Sequence, residues 1–310
     1  MGYSGIGGQA VMEGVMMKNG IHYAVAVRKP DKEIVVDARE YPGIVKNQKI
    51  KKIPILRGVI NFIDSLVLGM RTLMYSASFF DEEAKELSEE DQKAKEKKES
   101  VAMGFTVFLS VILALVIFML LPYGLSLFFK KWIASPTLLA LIEGVIRVVI
   151  FFIYIVAITC MEDIKRVYMY HGAEHKCINC VEHGLPLTVD NVLASSRLHK
   201  RCGTSFLFLV MLVSIFLHFI FVLVPFYWVR LFGRLLMVPV VAGISFEIIQ
   251  WAGRSDSKLA DFFSKPGLAM QKLTTKEPTA DMAEVAIRAV EAVFDWKAYL
   301  KEEFGVEAEQ

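Results

Sequence analysis

Residues 101–121 read VAMGFTVFLSVILALVIFMLL, which is a run of 21 residues without a charged side chain. About 20 apolar residues are needed for a helix to cross the hydrocarbon core of a bilayer. Three further stretches have the required length and apolar character, at residues 138–160, 204–228 and 235–252. The sequence therefore predicts a mainly α membrane protein with a membrane domain of four transmembrane helices at residues 101–252.

The composition agrees with this class of protein. Of the 310 residues, 55% are hydrophobic and 22 are Phe, whereas soluble domains are about 45–50% apolar. Because the excess lies in long blocks, disordered, collagen-like and coiled-coil classes are excluded. The net charge is only +2 and no basic face is evident, so no nucleic-acid partner is expected. The expected partners are the lipid bilayer and other membrane proteins, with the oligomeric state left open.

Lys and Arg are distributed unevenly among the segments that connect the spans. Residues 161–203 hold six of them, whereas the first connection has Lys130 and Lys131 and the third has Arg230 and Arg234. Lys and Arg accumulate on the cytoplasmic side of membrane proteins. Residues 161–203 and both termini are therefore predicted to be cytoplasmic. The first 20 residues lack the pattern of a cleavable signal peptide, so insertion is expected to use the internal segments.

Residues 1–52 are predicted to form a small cytoplasmic region that contains β structure. The runs 21–28 and 33–40 are partly alternating and rich in β-branched residues, and they flank a Lys-Pro-Asp-Lys turn. Such a pair of runs predicts a β-hairpin. The glycines at positions 5, 7 and 8 predict a flexible segment ahead of that hairpin.

Residues 53–80 are apolar but carry Arg57, Asp64 and Arg71. Their seven-residue spacing places the three charges on one face of a helix. An interfacial or re-entrant helix fits better than a span, because charges in the bilayer core are expensive. A helix packed on the soluble region fits the periodicity equally well.

Two other segments lie outside the spans. Residues 81–100 are dense in acids and Lys and predict a solvated helical connector. Residues 253–310 form the predicted cytoplasmic tail. Within it, residues 281–304 have apolar positions at helical spacing and predict a C-terminal amphipathic helix.

The motif with the most chemical content is His171-Gly172-Ala173-Glu174-His175, which has the form H-x-x-E-H. Residues four apart lie on one face of a helix, so both imidazoles can reach one metal ion. Glu174 lies beside them and is the candidate catalytic residue, as a general base toward a metal-activated water. This is the inverted order of the H-E-x-x-H zinc motif, and Zn²⁺ is the expected cofactor.

A catalytic zinc needs a third protein ligand and one open position. Glu247 is favoured as that ligand, because an acid within an apolar span is costly unless it is paired or bound to a metal. His199 and Cys202 are alternatives that lie outside the spans. Cys177 and Cys180 form a C-x-x-C pair and are also potential ligands, although two reduced loop cysteines are the simpler interpretation.

Three polar residues fall within the predicted spans. Glu143 and Arg147 are four residues apart and can pair on one helix face, and His218 lies near the middle of the third span. A proton or ion relay is one interpretation. A polar clamp between helices is the simpler one.

Several specific strings extend along nearly the whole chain. They are Gly7-Gly8-Gln9-Ala10-Val11-Met12-Glu13-Gly14-Val15-Met16-Met17, His171-Gly172-Ala173-Glu174-His175-Lys176, Ser196-Arg197-Leu198-His199, Arg201-Cys202-Gly203-Thr204-Ser205, Pro239 to Glu247, and Pro266-Gly267-Leu268 to Leu273-Thr274-Thr275. With them the chain resembles the YqhQ-like bacterial membrane proteins, a domain of unknown function described as predicted metal-dependent enzymes. The resemblance implies a multi-pass protein of the bacterial plasma membrane. Its implied metal dependence rests on the same His and Glu residues.

Two functions are compatible with these features. The first is a membrane-embedded, metal-dependent hydrolase that acts at the cytoplasmic membrane surface on a membrane-protein segment or a lipid. The second is a non-catalytic assembly or quality-control partner of other membrane proteins or of the translocation machinery, in which the same residues hold a structural metal or a polar network. Three protein ligands plus water indicate catalysis, whereas four protein ligands indicate a structural site.

Overall fold

The computed structural model describes residues 2–45, 47, 49–80, 89–224, 226–255 and 257–307. The chain divides into two compact units, of which the first contains residues 1–80, 159–210 and 239–310, and the second contains residues 81–158 and 211–238. The strands are β1 (Ile6–Val11), β2 (Gly14–Asn19), β3 (His22–Arg28) and β4 (Ile34–Glu40). The helices are α1 (Leu56–Ser78), α2 (Glu89–Leu115), α3 (Leu121–Phe128), α4 (Pro136–Thr159), α5 (Glu162–Glu182), α6 (Val189–Ala194), α7 (Gly203–His218), α8 (Tyr227–Leu236), α9 (Val238–Arg254), α10 (Lys258–Thr274), α11 (Ala280–Glu291) and α12 (Trp296–Phe304).

The first unit contains a four-stranded antiparallel sheet in the order β1-β2-β3-β4. The predicted hairpin corresponds to β3 and β4, which pair from His22↔Glu40 to Arg28↔Ile34. The prediction of a flexible segment around Gly7 and Gly8 is wrong, because both glycines lie in β1. The sequence pattern does not predict the β1–β2 hairpin, because β2 is apolar on both faces and polar and apolar residues do not alternate along it.

Helices cover both faces of this sheet, which explains why β2 lacks a polar face. Val15 and Met17 point into a core shared with α5, α6 and α11. Met16, on the opposite face, belongs to a second cluster with Leu68 of α1. A strand enclosed in this way is stabilised by apolar burial on both sides, at about 25 cal/mol per Å².

The three charged residues that share one face of helix α1 all have partners within the first unit. Asp64 is buried and accepts hydrogen bonds from the Tyr41 hydroxyl at 3.2 Å and the Ile44 N–H at 2.7 Å. The guanidinium of Arg71 lies over the Tyr41 ring, 5.8 Å from its centroid, and Arg57 forms an ion pair within the same unit. The placement of α1 relative to a bilayer stays a prediction.

The C-terminal segment forms two helices where one was expected. Helix α11 ends at Glu291, and α12 begins at Trp296 with the Asp295 side chain accepting a hydrogen bond from the Ala298 N–H at 3.0 Å. An acceptor at this position satisfies an otherwise unpaired N–H and starts a new helix. The apolar face of α11 is buried in the core of the sheet unit.

Four helices of the described chain are long and apolar enough to span a membrane, at Val101–Lys131, Pro136–Thr159, Gly203–Val222 and Phe232–Arg254. The first of these continues from α2 through a π-helical turn at Val116–Leu120 into α3. The sequence-based count of four is therefore confirmed as candidate spans. Residues 81–88 of the charged connector lie outside the described part of the chain, and the backbone of residues 89–100 is the start of α2.

Candidate metal centre

Helix α5 carries both histidines of the H-x-x-E-H motif. It begins after Met161 with Glu162 and Asp163 in its first turn, where acids favour the positive end of the helix dipole. Its second half is buried, and Gly172 packs against the Lys276 carbonyl so closely that a Cβ atom would collide with it. The acids of the first turn therefore favour the start of α5, and Gly172 allows α5 to approach the chain that follows α10 closely.

The two imidazoles are oriented by hydrogen bonds to backbone carbonyls. The Nδ1–H of His171 donates to the Thr274 oxygen at 3.0 Å, and the Nδ1–H of His175 donates to the Arg197 oxygen at 2.6 Å. Each ring is thus oriented with its Nε2 directed toward the other ring and Cys202. Histidines that bind metals almost always donate their other ring N–H in this way, which fixes both tautomer and orientation.

Cys202 supplies a third ligand atom at the point where the two Nε2 atoms converge. One ligand atom from each of His171, His175 and Cys202 lies within 4.8 Å of the others. The Cys202 Sγ is 3.2 Å from the His171 Nε2, and tetrahedral zinc with ordinary bond lengths separates such atoms by about 3.5 Å. The donor set of two imidazoles and one thiolate fits Zn²⁺.

The charges in this cluster favour a thiolate. Burial alone raises the pKa of Cys202, but the charges of His171 and His175 and their hydrogen bonds outweigh it and hold that pKa well below its usual value. Burial likewise lowers the pKa of His171, but Cys202 and Glu174 outweigh it and raise that pKa to about 9. The Thr204 N–H also approaches the Cys202 Sγ, at 3.4 Å. The thiolate is the form of Cys that binds metals.

Glu174 lies beside the three ligand atoms without belonging to their group. Its Oε2 is 3.5 Å from the His175 Nε2 and 3.9 Å from the His171 Nε2. Gly8 of β1 makes room for it, because a Cβ atom there would lie 2.7 Å from the Glu174 Cγ. All of these side chains line a cleft of about 220 Å³ whose wall includes Tyr3, Arg201 and Gln250.

Glu247, the ligand favoured from sequence, has another partner. Its Oε1 accepts a hydrogen bond from the Arg57 Nε at 2.6 Å, and the second carboxylate oxygen pairs with the same guanidinium. The Ile55 N–H donates to it as well, at 3.3 Å. Glu247 has no Lys or Arg close to it in its own helix, and its cationic partner is Arg57, which lies 190 residues earlier in the sequence. This pairing accounts for an acid in an apolar helix, and the side chain that lies with His171 and His175 is Cys202.

His199 lies next to His175, and two hydrogen bonds between its backbone and the Gln271 side chain hold it in place. Its N–H donates to the Gln271 Oε1 at 2.8 Å, and its carbonyl accepts from the Gln271 Nε2 at 2.7 Å. The His199 ring is 5.6 Å from that of His175, centroid to centroid, and its Nε2 is 3.6 Å from the Glu182 Oε2. His199 therefore lies between the group formed by His171, His175 and Cys202 and a second polar group.

Cys177 and Cys180 lie in α5 and not in a loop. Cys177 is fully buried in the core, and burial raises the pKa of its thiol well above the usual value. Cys180 donates to the carbonyls of Leu185 and Pro186 at 3.6 and 3.4 Å. Both are free thiols, and neither belongs to the group of ligand atoms found in the described chain.

Glu182 is the centre of the second polar group and is fully buried. It accepts hydrogen bonds from the Ser4 N–H at 3.0 Å and the Ser4 hydroxyl at 2.7 Å, and it pairs with Arg201. Burial alone raises the pKa of Glu182, but His199, Arg201 and Ser4 outweigh it and lower the pKa to about 2. This group fastens the start of the chain to the end of α5.

We expect Glu182 to make the stability of the sheet unit dependent on pH. Because its folded-state pKa lies below the ordinary value of 4.5, its contribution is complete above about pH 5 and is lost as pH falls toward 2. Glu182→Gln should cost about 3 kcal/mol near pH 7 and progressively less in acid. Thermal unfolding at several pH values measures the difference, with the exposed Glu302→Gln as control. A cost that is independent of pH would contradict this assignment.

The three polar residues of the predicted spans come together in the second unit. The Arg147 Nη2 donates to the Glu143 Oε1 at 2.9 Å, and its Nη1 donates to the His218 Nδ1 at 3.0 Å. Arg234, which was not singled out from sequence, also donates to Glu143, at 2.8 Å. All four side chains are buried.

The family model for DUF1385, described as a protein of unknown function, matches residues 53–296. The chain belongs to the DUF1385 family. This DUF1385 protein is also 36% identical over 287 residues to the uncharacterized protein YqhQ of Bacillus subtilis (strain 168), with 91% of this chain and 90% of the relative covered. The resemblance to YqhQ-like proteins is confirmed. Neither description names a metal or a reaction, and no solved structure matches the chain significantly.

Sequence reasoning missed several residues of this DUF1385 site. The role of the Thr274 and Arg197 carbonyls as acceptors cannot be predicted from side-chain patterns, because every residue has a backbone carbonyl. Arg57 and Gln271 become partners of Glu247 and His199 only through tertiary contacts. Cys202 is an exception, because its position next to the third predicted span makes it an alternative ligand from sequence alone.

Proposed function

We propose that this protein is a zinc-dependent hydrolase of the bacterial plasma membrane, with His171, His175 and Cys202 as ligands and one position open. The supporting observation is the convergence of two Nε2 atoms and one Sγ, with both Nδ1 groups tied to backbone carbonyls. Three protein ligands with an open position are typical of catalytic zinc, whereas structural zinc has four.

Glu174 acts as the general base in this proposal. His171, His175 and Cys202 would hold the zinc, which when bound would lower the pKa of its water to about 7. The Glu174 carboxylate accepts a proton at Oε2, the oxygen nearest the two Nε2 atoms, and returns it to the leaving group. Burial of this carboxylate keeps bulk water from competing for the proton.

The edge of the sheet favours a polypeptide substrate over a lipid. β1 is an edge strand, and its residues Gly7 and Gly8 line the cleft. Hydrogen-bonded pairs alternate in an antiparallel ladder. Since Val11 and Gly14 close the two-residue turn, Gly8 falls in a pair that leaves its backbone N–H and C=O directed away from β2. A free edge of this kind binds an extended peptide through main-chain hydrogen bonds.

The test of this proposal is zinc-dependent hydrolysis by the purified full-length protein in detergent. Internally quenched peptides and fluorogenic lipid esters are compared as substrates, with protein that has been stripped of metal and reloaded with Zn²⁺. We expect peptide hydrolysis that needs zinc. Hydrolysis of lipid esters alone would overturn the peptide assignment, and equal rates with and without zinc would overturn the metal assignment.

The orientation of the four spans is also part of the proposal. From the distribution of Lys and Arg, we expect reporters fused after Lys131 and after Glu182 to lie on opposite sides of the membrane. A reporter fused after Gln310 should lie on the same side as the one after Glu182. Alkaline phosphatase and green fluorescent protein activities measure the two sides. The same side for Lys131 and Glu182 would contradict the topology.

The alternative is a non-catalytic assembly or quality-control factor with a structural zinc. It is favoured by the position of His199, whose ring faces that of His175. A rotation that brought His199 to the metal would give four protein ligands and close the site. Metal content after His199→Ala separates the two functions, because a catalytic site retains its zinc whereas a structural site loses it.

A further inference from the structure

A second candidate site lies in the unit formed by residues 81–158 and 211–238. There two guanidinium groups share one carboxylate. The Arg147 Nη2 and the Arg234 Nη1 both donate to the Glu143 Oε1, at 2.9 and 2.8 Å, and the Arg234 Nη1 is also 3.0 Å from the Oε2. Since the Arg147 Nη1 donates to the His218 Nδ1, that imidazole acts as an acceptor and is neutral.

The charges of this group do not balance. Two arginines and one glutamate leave a net charge of +1 among side chains that are each less than 10% exposed. Within residues 101–158 and 211–238 of this unit, Glu143 is the only acidic residue, whereas five residues are Lys or Arg. The buried Nε atoms of Arg147 and Arg234 have no acceptor in the described chain. A buried positive charge without a counterion is strongly disfavoured.

A cavity of about 380 Å³ adjoins this group and brings a third cation to it. Arg234 and Glu143 lie in its wall, together with the exposed Lys130 and the hydroxyl-bearing Ser126. The remainder of the wall is largely apolar, with Leu127 among its members. Ligand sites typically combine an apolar lining with a few polar groups in this way, within volumes of about 300–1,000 Å³.

We propose that this cavity binds a phosphate group, carried by an anionic lipid headgroup or present as inorganic phosphate. The phosphate charge offsets the unbalanced charge of the two arginines. Guanidinium groups offer paired N–H donors that match phosphate oxygens, and Lys130 contributes a point charge. The apolar part of the wall suits the glycerol and acyl portions of a lipid. Glu143 does not repel the ligand strongly, because both arginines already neutralise it.

The test measures ligand-induced shifts of the unfolding midpoint of the full-length protein in a neutral detergent. The probes are dioleoylphosphatidylglycerol, dioleoylglycerol as its match without phosphate, and inorganic phosphate. Arg234→Gln leaves Glu143 paired with Arg147, and Lys130→Gln removes a cation outside the buried group. Lys131→Gln is the matched control, because Lys131 is the adjacent residue of the same turn and does not line the cavity.

We expect phosphatidylglycerol to raise the midpoint and dioleoylglycerol to leave it unchanged. The apparent affinity should fall roughly tenfold in Arg234→Gln and Lys130→Gln, as expected for loss of one charge-assisted interaction, and stay unchanged in Lys131→Gln. A shift with inorganic phosphate that shows the same dependence on these variants identifies free phosphate as the ligand. The absence of any shift, or equal shifts in Lys130→Gln and Lys131→Gln, would overturn the proposal. The Lys130 and Lys131 variants decide the matter if Arg234→Gln does not fold.

Discussion

In a Cys202→Ser variant we expect the bound zinc to be lost on purification. A serine hydroxyl keeps its proton at neutral pH and is a poor zinc ligand, whereas the thiolate form of Cys202 is favoured by both imidazoles. Changes in groups that only support ligands already weaken metal binding by about 10–100-fold, so loss of a ligand should cost at least about 100-fold. Elemental analysis of the protein in detergent measures zinc per chain.

The control for this variant is Cys180→Ser. Cys180 lies in the same unit and donates to two backbone carbonyls, a role that serine fills. We expect Cys180→Ser to retain the zinc content of the unmodified protein. Equal zinc in Cys202→Ser and the unmodified protein would exclude Cys202 from the coordination sphere and return Glu247 and His199 to consideration.

In a Glu174→Gln variant we expect zinc to be retained while hydrolysis falls by about 10²–10⁴-fold, the usual contribution of a general base. The amide has nearly the same shape as the carboxylate and fits beside Gly8, but it does not accept the proton. The rate of peptide hydrolysis and the zinc content are measured on the same sample. A loss of hydrolysis with unchanged zinc content indicates a role in the reaction, whereas a loss of both indicates a role in folding or metal binding.

Glu162→Gln is the matched control for Glu174→Gln. Glu162 is an exposed acid in the first turn of the same helix, so its loss changes the charge of α5 without touching the cleft. We expect its activity and zinc content to be unchanged. Loss of zinc in Glu174→Gln would make Glu174 a ligand, and full activity in that variant would remove it from the mechanism.

The parts of this fold that depend on local patterns were predictable from sequence. The four candidate spans follow from runs of apolar residues, and the pairing of β3 with β4 follows from alternation around a short turn. The placement of His171 and His175 on one helix face needs only the helical repeat. In each case the information lies within about 30 residues.

Features that depend on contacts between distant segments were not predictable in the same way. Glu247 lacked a cation nearby in sequence, which made metal binding attractive, and tertiary packing supplied Arg57 instead. Cys202 was named only as an alternative, because its sequence position does not reveal that it reaches the His171 Nε2. The β1–β2 hairpin was missed because its burial on both faces removes the alternation on which strand prediction rests.

The carbonyl that orients His171 has a consequence for the biosynthesis of this protein. Thr274, which supplies it, lies 103 residues after the histidine. A ribosome delivers the chain from its N-terminus, so His171, His175 and Cys202 all emerge while this acceptor has yet to be translated. The imidazole remains free to rotate until α10 is complete. If zinc binds as we propose, we expect its stable capture to be a late event in maturation, because a chain arrested before Thr274 carries all three proposed ligands but lacks the acceptor that orients His171.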